Sequence, residues 1–429
     1  MILFIDMNSF FATCEQQFNY YLRGRPVGVC VYTGKYGAVI APSIEAKKMG
    51  VKTGMRLNDA MLLCPDLVPL ETNSGRYREI HLKIMNLLRK YSGDVIPKSI
   101  DEAIVDLQHH KHIYKNIEDM KKLANQIKQD IRDTIGDYLK CSIGIAPNAF
   151  LAKLASDLQK PDGLTIITPE NIDEVLSKLK LTDLPGIAGG MENRLKNAGI
   201  DTPLKLRYTD PAVLKVACQS IVGVYWHYRL NFSEVDLVSS PYKNMQAMRQ
   251  LSREQRSSAQ TIDNIFISLC MKLEKRMVAQ GVYCKEFGMN ISYQNGQRWK
   301  YHSKNAPLQD GMTIYHTLKQ QLDKYAKEHG GKTLLHEGVA GLGVNVSDFV
   351  TADVLQVELF EDNIKKDHLR KAVYDVKDRY GYDKLLKAIE LKEGHSAAYQ
   401  DLIGFGSIKD MYNEQDWVSN SNKIQNPEE

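Results

Sequence analysis

Three acidic side chains stand where acids are costly. Asp6 ends the apolar run MILFID, and Asp101 with Glu102 opens the otherwise apolar segment SIDEAIVDL. An ionised carboxylate leaves water at a large cost unless something pairs with it. Asp6 is therefore either solvated at a strand end or met there by a cation. Carboxylates a few Å apart also raise one another's pKa in the absence of a counterion. A hard divalent cation such as Mg²⁺ answers both problems, because it takes oxygen ligands in near-octahedral geometry and keeps positions open for substrate phosphates. Two such ions about 3.5–4 Å apart clamp the attacking and leaving oxygens of an in-line phosphoryl displacement. An Asp-Glu pair at a strand start is ordinarily a solvated turn, so the three acids carry weight only together.

The surrounding segments must bring them together. ILFID reads as a short buried strand, and SFFATCEQQF has helical spacing, with Phe11, Cys14 and Phe18 on related faces. From Asn19 to Leu70 the chain is broken by Gly and Pro and forms a compact unit inserted between the first helix and the next. An amphipathic helix over Arg76–Tyr91, the strand pair in DVIPKSIDEAIVDL, a helix over Ile117–Ile135 and the strand KCSIGIAP follow. The order β, α, β, β, α, β predicts an α+β, ferredoxin-like antiparallel sheet backed by helices. If the strand ending at Asp6 and the strand beginning at Asp101 are antiparallel neighbours, the acids meet at one sheet edge. Adjacent strand residues point to opposite faces, so Asp101 and Glu102 share a site only if the backbone is irregular or the site wraps the strand end.

After PDGLTIITPE come short helices with Gly-rich turns, an all-helical domain reaching about Phe232, and then the linker LVSSPYKN. A second βαββαβ pattern follows, from KNMQAMRQL to EGVAGLGVNV. Between Pro241 and Asn345 there are 15 Lys and Arg against 8 Asp and Glu, while the whole chain carries only +4. A basic domain attached to a slightly acidic one suits a polyanion held beside a cation site. The seven cysteines are scattered and never form a CxxC pair, which predicts buried thiols and neither a disulfide framework nor a zinc site. No apolar stretch approaches the ~20 residues of a membrane span, and a cytoplasmic, multidomain protein is expected. The polar end NSNKIQNPEE reads as a disordered terminus.

The segments IDMNSFFATCEQ, GAVIAPSIEAKKMGVKTGM, SIDEAIVDL, SIGIAPNAFLAKLASDLQKPDGL and LPGIAGGMENRLKNAGI occur in the order and spacing of the Y-family translesion DNA polymerases. The chain resembles the UmuC and DinB type over roughly residues 1–350. That resemblance implies a palm at 1–18 and 71–168, inserted fingers at 19–70, a helical thumb at 169–237, a βαββαβ little finger at 238–346 and a C-terminal tail at 347–429. By position it implies that Asp6, Asp101, Glu102 and the Met7 backbone carbonyl hold two Mg²⁺ ions. Phe11 would be the steric gate against a ribose 2′-OH. Phe10, Phe11, Lys47 and Lys160 would meet the incoming nucleotide. Many members carry Arg where Lys47 stands and Ser or Thr where Ala41 stands, so triphosphate binding would rest more on the backbone amides after Asp6. Asn8 and Ser9 are given positional roles.

LPGIAGG is similar to a helix-hairpin-helix, in which Gly186 and Gly189 let backbone N–H groups approach a DNA phosphate; Ala188 departs from the usual glycine. Lys243, Arg249, Arg253 and Arg256 are expected on the template phosphate backbone. QVELF, with Gln356, Leu359 and Phe360, resembles a sliding-clamp docking peptide. The implied function is template-directed, error-prone translesion synthesis in the DNA damage (SOS) response. The implied partners are primer-template DNA, a dNTP, the clamp and accessory SOS proteins, with no membrane. Two other readings use the same residues: a two-metal nuclease or phosphodiesterase, and an inactive DNA-binding accessory subunit.

Overall fold

The computed structural model describes residues 1–34, 37–110, 116–237, 243–351, 363–380 and 385. They fall in two compact units, Met1–Ser239 and Ser240–Glu429. The chain opens with β1 (Ile2–Met7) and α1 (Phe10–Phe18), and then leaves the main sheet. A small sheet follows, made of β2 (Val27–Cys30), β3 (Val39–Pro42) and, after α2 (Ile44–Lys48) and α3 (Leu57–Leu63), β4 (Val68–Glu71), which runs parallel to β2. Its own core of Cys30, Val39, Val51, Leu57 and Leu67 makes this insertion a separate packing unit.

The chain returns through α4 (Ser74–Leu88), β5 (Val95–Pro97), β6 (Glu102–Asp106), α5 (Ile117–Thr134), β7 (Cys141–Ala146), α6 (Ala149–Leu158) and β8 (Leu164–Ile166). Asn116 and Asn148 each accept a backbone N–H and so begin α5 and α6, satisfying donors that the first helical turn leaves open. The main sheet has the order β5-β6-β1-β7-β8. The expected βαββαβ frame is present, with one addition: β8 pairs with β7 in parallel, so the sheet is mixed and not purely antiparallel. On β1, Ile2 and Phe4 join a core that continues through α6. The same core takes in residues from α7 (Ile172–Ser177), α8 (Gly189–Asn197), α9 (Pro203–Tyr208), α10 (Pro211–Cys218) and α11 (Val222–Leu230), including the fully buried Trp226. α6 approaches β7 closely because Gly144 has no side chain: a Cβ there would lie 2.0 Å from the Ala152 carbonyl oxygen and 2.4 Å from the Ser156 nitrogen.

The second unit comprises β9 (Asn244–Gln250), α12 (Arg253–Arg256), α13 (Ala259–Ala279), β10 (Val282–Tyr293), β11 (Arg298–Leu308), α14 (Gly311–Glu328), β12 (Val339–Thr351) and α15 (Asn363–Tyr380). Element order repeats that of the main sheet, but strand order does not: here it is β11-β10-β12-β9. In both units the first βαβ crossover leaves a slot between its strands. In the first unit the hairpin folds back and β6 fills the slot, whereas in the second the β10–β11 hairpin turns outward and β12 fills it. β12 runs to Thr351, four residues beyond the expected start of the tail near Ser347, because Val346 is buried and Phe349 packs against the same core. α15 was not expected either. Tyr374 anchors it, donating to Glu274, which is buried within α13. Gln356, Leu359 and Phe360 lie outside the described residues. All seven cysteines are buried and unpaired, and no described helix is long and apolar enough to cross a membrane.

Candidate active site

Asp6 and Glu102 are direct antiparallel partners in the β1·β6 register, and the Met7 amide donates to the Asp101 carbonyl at 2.9 Å. Residues 94 and 96 apart in sequence are thus brought to one strand end. Period-two alternation puts Asp6 on the face of Ile2 and Phe4, and Glu102 on the face of Ile104, both covered by α6. Asp101 precedes β6 and lies toward α1, where its charge is felt by Cys14. The site therefore wraps the end of the sheet. Burial raises the Asp101 pKa; a hydrogen bond from Ser99 at 2.5 Å opposes this, and the nearby Glu102 and Asp6 add to it. His81 on α4 braces the turn before it, with Nδ1 2.8 Å from the Ile100 carbonyl.

The cation that sequence reasoning missed is Lys153. Its Nζ on α6 donates to Asp6 at 2.5 Å, lies 2.7 Å from Glu102 and 3.2 Å from Asp157, and sits over the Phe4 ring. Burial disfavours its charge, but Asp6 and Glu102 outweigh burial and hold its pKa above the usual lysine range. A lone lysine in the apolar turn FLAKLAS was the available signal. Its ammonium lies between the two carboxylates, and among the described residues no three His, Cys, Asp or Glu side chains close on one another as a metal-binding group. The hard oxygens of Asp6 and Glu102 already converge on one positive charge, and that donor set fits a divalent cation.

Lys160 pairs with Asp6 and with Asp157, each at 2.8 Å. Its loop is tied to the end of β1, since the Asp162 amide donates to Asn8 Oδ1 at 2.7 Å. Lys47, exposed on α2, has its pKa lowered by desolvation and by Lys160, while Asp6 and Asp101 oppose that shift. The two lysines and the acids thus share one electrostatic neighbourhood, although they come from separate sheets. α1 starts beside them from Ser9, which has a left-handed φ of 49° and makes no side-chain cap. Ser9 Oγ is buried without a hydrogen-bond partner. An uncapped helix start with an orphaned hydroxyl fits an anionic ligand.

Phe11 is partly exposed, and its ring stacks on Tyr77 of α4. Tyr77 is wholly buried and donates to Glu15 at 2.8 Å, and Arg76 pairs with the same carboxylate. Phe10 is 2 % exposed, so its ring belongs to the core and only its backbone is on offer at the helix start.

Gly186 adopts φ 86° beside Trp226, and Gly189 begins α8 with open space about it. The four expected basic residues of the second unit do not share one surface. Lys243 is exposed just before β9. Arg249 alternates with Met245 and Ala247 onto the helix-covered side and is half-buried, where desolvation lowers its pKa. Arg253 and Arg256 lie on α12, at a cavity. The open face of the sheet carries Lys300, His302 and Lys304 of β11 instead, the last two close to Glu286.

Comparison with known proteins gives a consistent result. The impB/mucB/samB family matches residues 5–157, and the C-terminal domain of that family matches 242–359. DNA polymerase IV 1 of Bacillus subtilis is 27% identical over 409 residues, 92% of this chain and 94% of that protein. DNA polymerase IV of Clostridioides difficile is 40% identical over 206 residues, 48% of this chain and 55% of the relative, so that match spans about half of each. Among solved structures, the Y-family DNA polymerase chimera Dbh-Dpo4(243-245)-Dbh has a TM-score of 0.68 at 24% identity, covering 82% of this chain and 99% of the other. An insertion ternary complex of Dbh DNA polymerase has a TM-score of 0.54 at 23% identity, with the same coverage. Two domains matched in order, the first of them carrying the strand-end carboxylate site, place this chain in the impB/mucB/samB family, the Y-family of translesion DNA polymerases.

Proposed function

We propose that the chain is a template-directed DNA polymerase that adds deoxynucleotides to a primer 3′-hydroxyl and continues past damaged template bases. The observation that carries this reading is the register that sets Asp6 opposite Glu102 while Met7 bonds to Asp101. Family membership implies dependence on a divalent metal, and the metal here is taken to be Mg²⁺ held by Asp6, Asp101, Glu102 and the Met7 carbonyl. Bound there, a pair of such ions supplies a Lewis-acid clamp on the entering and departing oxygens.

The chain's own groups do the rest. Lys160 and Lys47 neutralise triphosphate charge, and the free N–H groups of Phe10 and Phe11 at the start of α1 donate to phosphate oxygens. The Phe11 ring, backed by Tyr77, fills the space a 2′-hydroxyl would need. Lys153 must release Asp6 and Glu102 for the loaded state to form, and Asp157 on the same helix offers its ammonium an alternative partner. Residues 1–18 and 71–168 act as palm, 19–70 as fingers, 169–237 as thumb and 238–346 as little finger, with clamp docking assigned to Gln356, Leu359 and Phe360. Duplex phosphates are assigned to the backbone amides at Gly186 and Gly189 and to Lys243, Lys300 and Lys304. Such contacts make binding salt-dependent and indifferent to sequence.

Primer extension with a labelled primer, four dNTPs and Mg²⁺, on intact and damaged templates with and without the clamp, tests the reading. Elongation supports it. Shortening of the primer would indicate a nuclease, and neither change an accessory subunit.

A further inference from the structure

A cavity of about 1010 Å³ opens in the second unit where the β10–β11 hairpin turns. It lies at the end of the sheet, bordered by α12, the hairpin turn, α14 and the loop before β12. Four cations line it, Arg253, Arg256, Arg298 and Lys332, against one acid, Glu337. None of the four takes part in an ion pair among the described residues. Unpaired like charges on a concave wall focus positive potential into it and favour an anion.

The same walls carry flat rings. Tyr293 stacks on His336 with centroids 5.3 Å apart, and Trp299 meets Tyr325 edge to face at 6.2 Å. These walls are pre-formed, because the hairpin turn is tied to the loop. Tyr293 donates to the Leu334 carbonyl at 3.0 Å, and the Gln294 amide to the Gly338 carbonyl at 3.0 Å. The positive charge also continues outward: β11 is an edge strand, and Arg298 alternates with Lys300, His302 and Lys304 along its open face.

We propose that this cavity binds a short single-stranded segment of nucleic acid, its phosphates on Arg253, Arg256 and Lys332 and its bases on Trp299 and on the Tyr293–His336 pair. Cations interleaved with aromatic faces are what an unpaired strand requires, since every base has a π-face and every linkage a charge. A duplex buries its base faces and could use only the cations. An acidic peptide would leave the rings unmatched. The volume, at the upper end of the roughly 300–1,000 Å³ of small-ligand pockets, admits a few nucleotides and no double helix. The assignment is independent of the polymerase reading, because binding is measured without nucleotide incorporation.

The test uses the full chain in EDTA, a fluorescein-labelled oligothymidylate of about 12 nucleotides within the usual range of single-strand sites, and anisotropy across a salt series. A blunt duplex and a poly-glutamate peptide serve as comparisons. Lys332→Glu should weaken oligothymidylate binding at least about five-fold and lower the slope of log K against log salt by roughly 0.7, the value for one lost phosphate contact. His336→Ala, on an exposed ring, should weaken it about five-fold or more by loss of stacking. Both variants should keep the parent melting temperature and duplex affinity. Unchanged oligothymidylate binding in both variants would overturn the proposal. So would poly-glutamate competing as well as the oligonucleotide, which would reduce the cavity to a general anion trap, or a proportional loss of duplex binding, which would make it part of the duplex surface.

Discussion

The Phe11 ring lies flat on Tyr77, with centroids 4.3 Å apart and planes 9° from parallel. Tyr77 cannot retreat, because it is fully buried and its hydroxyl is held by Glu15. A ring that selects by occupying space selects only as well as it is backed, so two residues set the selectivity. Phe11→Ala should raise ribonucleotide incorporation relative to deoxynucleotide by about 100-fold or more, and Tyr77→Leu by a smaller factor of about ten, within the range that pocket contacts provide. Competition between rATP and dATP in single-nucleotide extension reads both. Unchanged selectivity in Phe11→Ala would remove the gate assignment.

Removing a carboxylate separates chemistry from binding. Asp101→Ala should lower the extension rate by at least about 1,000-fold, a loss in line with removing a main source of transition-state charge stabilisation, with primer-template affinity nearly unchanged by anisotropy. A variant that still extends at a tenth of the parent rate would show that Asp101 is not required.

Lys153 makes opposite predictions with and without metal. Lys153→Ala leaves the carboxylate of Asp6, itself 5 % exposed, with one cation fewer. Breaking a buried pair from one side is destabilising, and about 2 kcal/mol should be lost in EDTA, with Lys160 retaining part of the compensation. The competing ammonium is gone as well, so the Mg²⁺ concentration for half-maximal protection against thermal unfolding should fall. If the variant melts like the parent in EDTA, the bridge contributes nothing to stability.

His81 gives the acid dependence of folding. Burial lowers its pKa from 6.5 to about 4, against the opposing Ile100 carbonyl. The unfolded chain therefore binds one more proton than the folded one between those values. Its contribution is complete above about pH 6.5 and is lost as pH falls toward 4, with a total of at most roughly 3 kcal/mol. His81→Gln should flatten the denaturant midpoint against pH in that window. An unchanged slope would assign the loss to other groups.

Gly144→Ala tests how α6 is placed. With a Cβ 2.0 Å from the Ala152 carbonyl, backbone must move. A loss of about 2–4 kcal/mol by chemical denaturation is expected, as for other overpacked cores, together with a fall in extension rate, since α6 carries Lys153. Stability equal to the parent would mean that the helix shifts freely.

The opening strand was legible because an apolar run that stops on an acid has few readings, and the Asp-Glu pair because it interrupts a strand pattern. Strand order in the second unit was not, since an inward or outward hairpin depends on which strand fills the crossover slot. The mixed pairing of β8 was missed for a different reason: three residues carry no periodicity. Lys153 was missed because its partners lie 51 or more positions away in sequence, apart from Asp157. Arg249 was grouped with its basic neighbours by sequence proximity, but alternation on β9 sends it inward with Met245. α15 hid in a polar segment whose clearest buried anchors are Tyr374 and Lys377.

Every thiol in this chain is enclosed, and burial raises the pKa of each one, to about 11 for Cys30 and about 12 for Cys141 and Cys284. A folded molecule therefore offers an alkylating reagent almost no thiolate to attack. Modification must wait for local opening, and the seven sites are spread over the inserted sheet, the main sheet, the helical segment and the second unit. The order in which they are alkylated is a built-in record of which part of the molecule opens first.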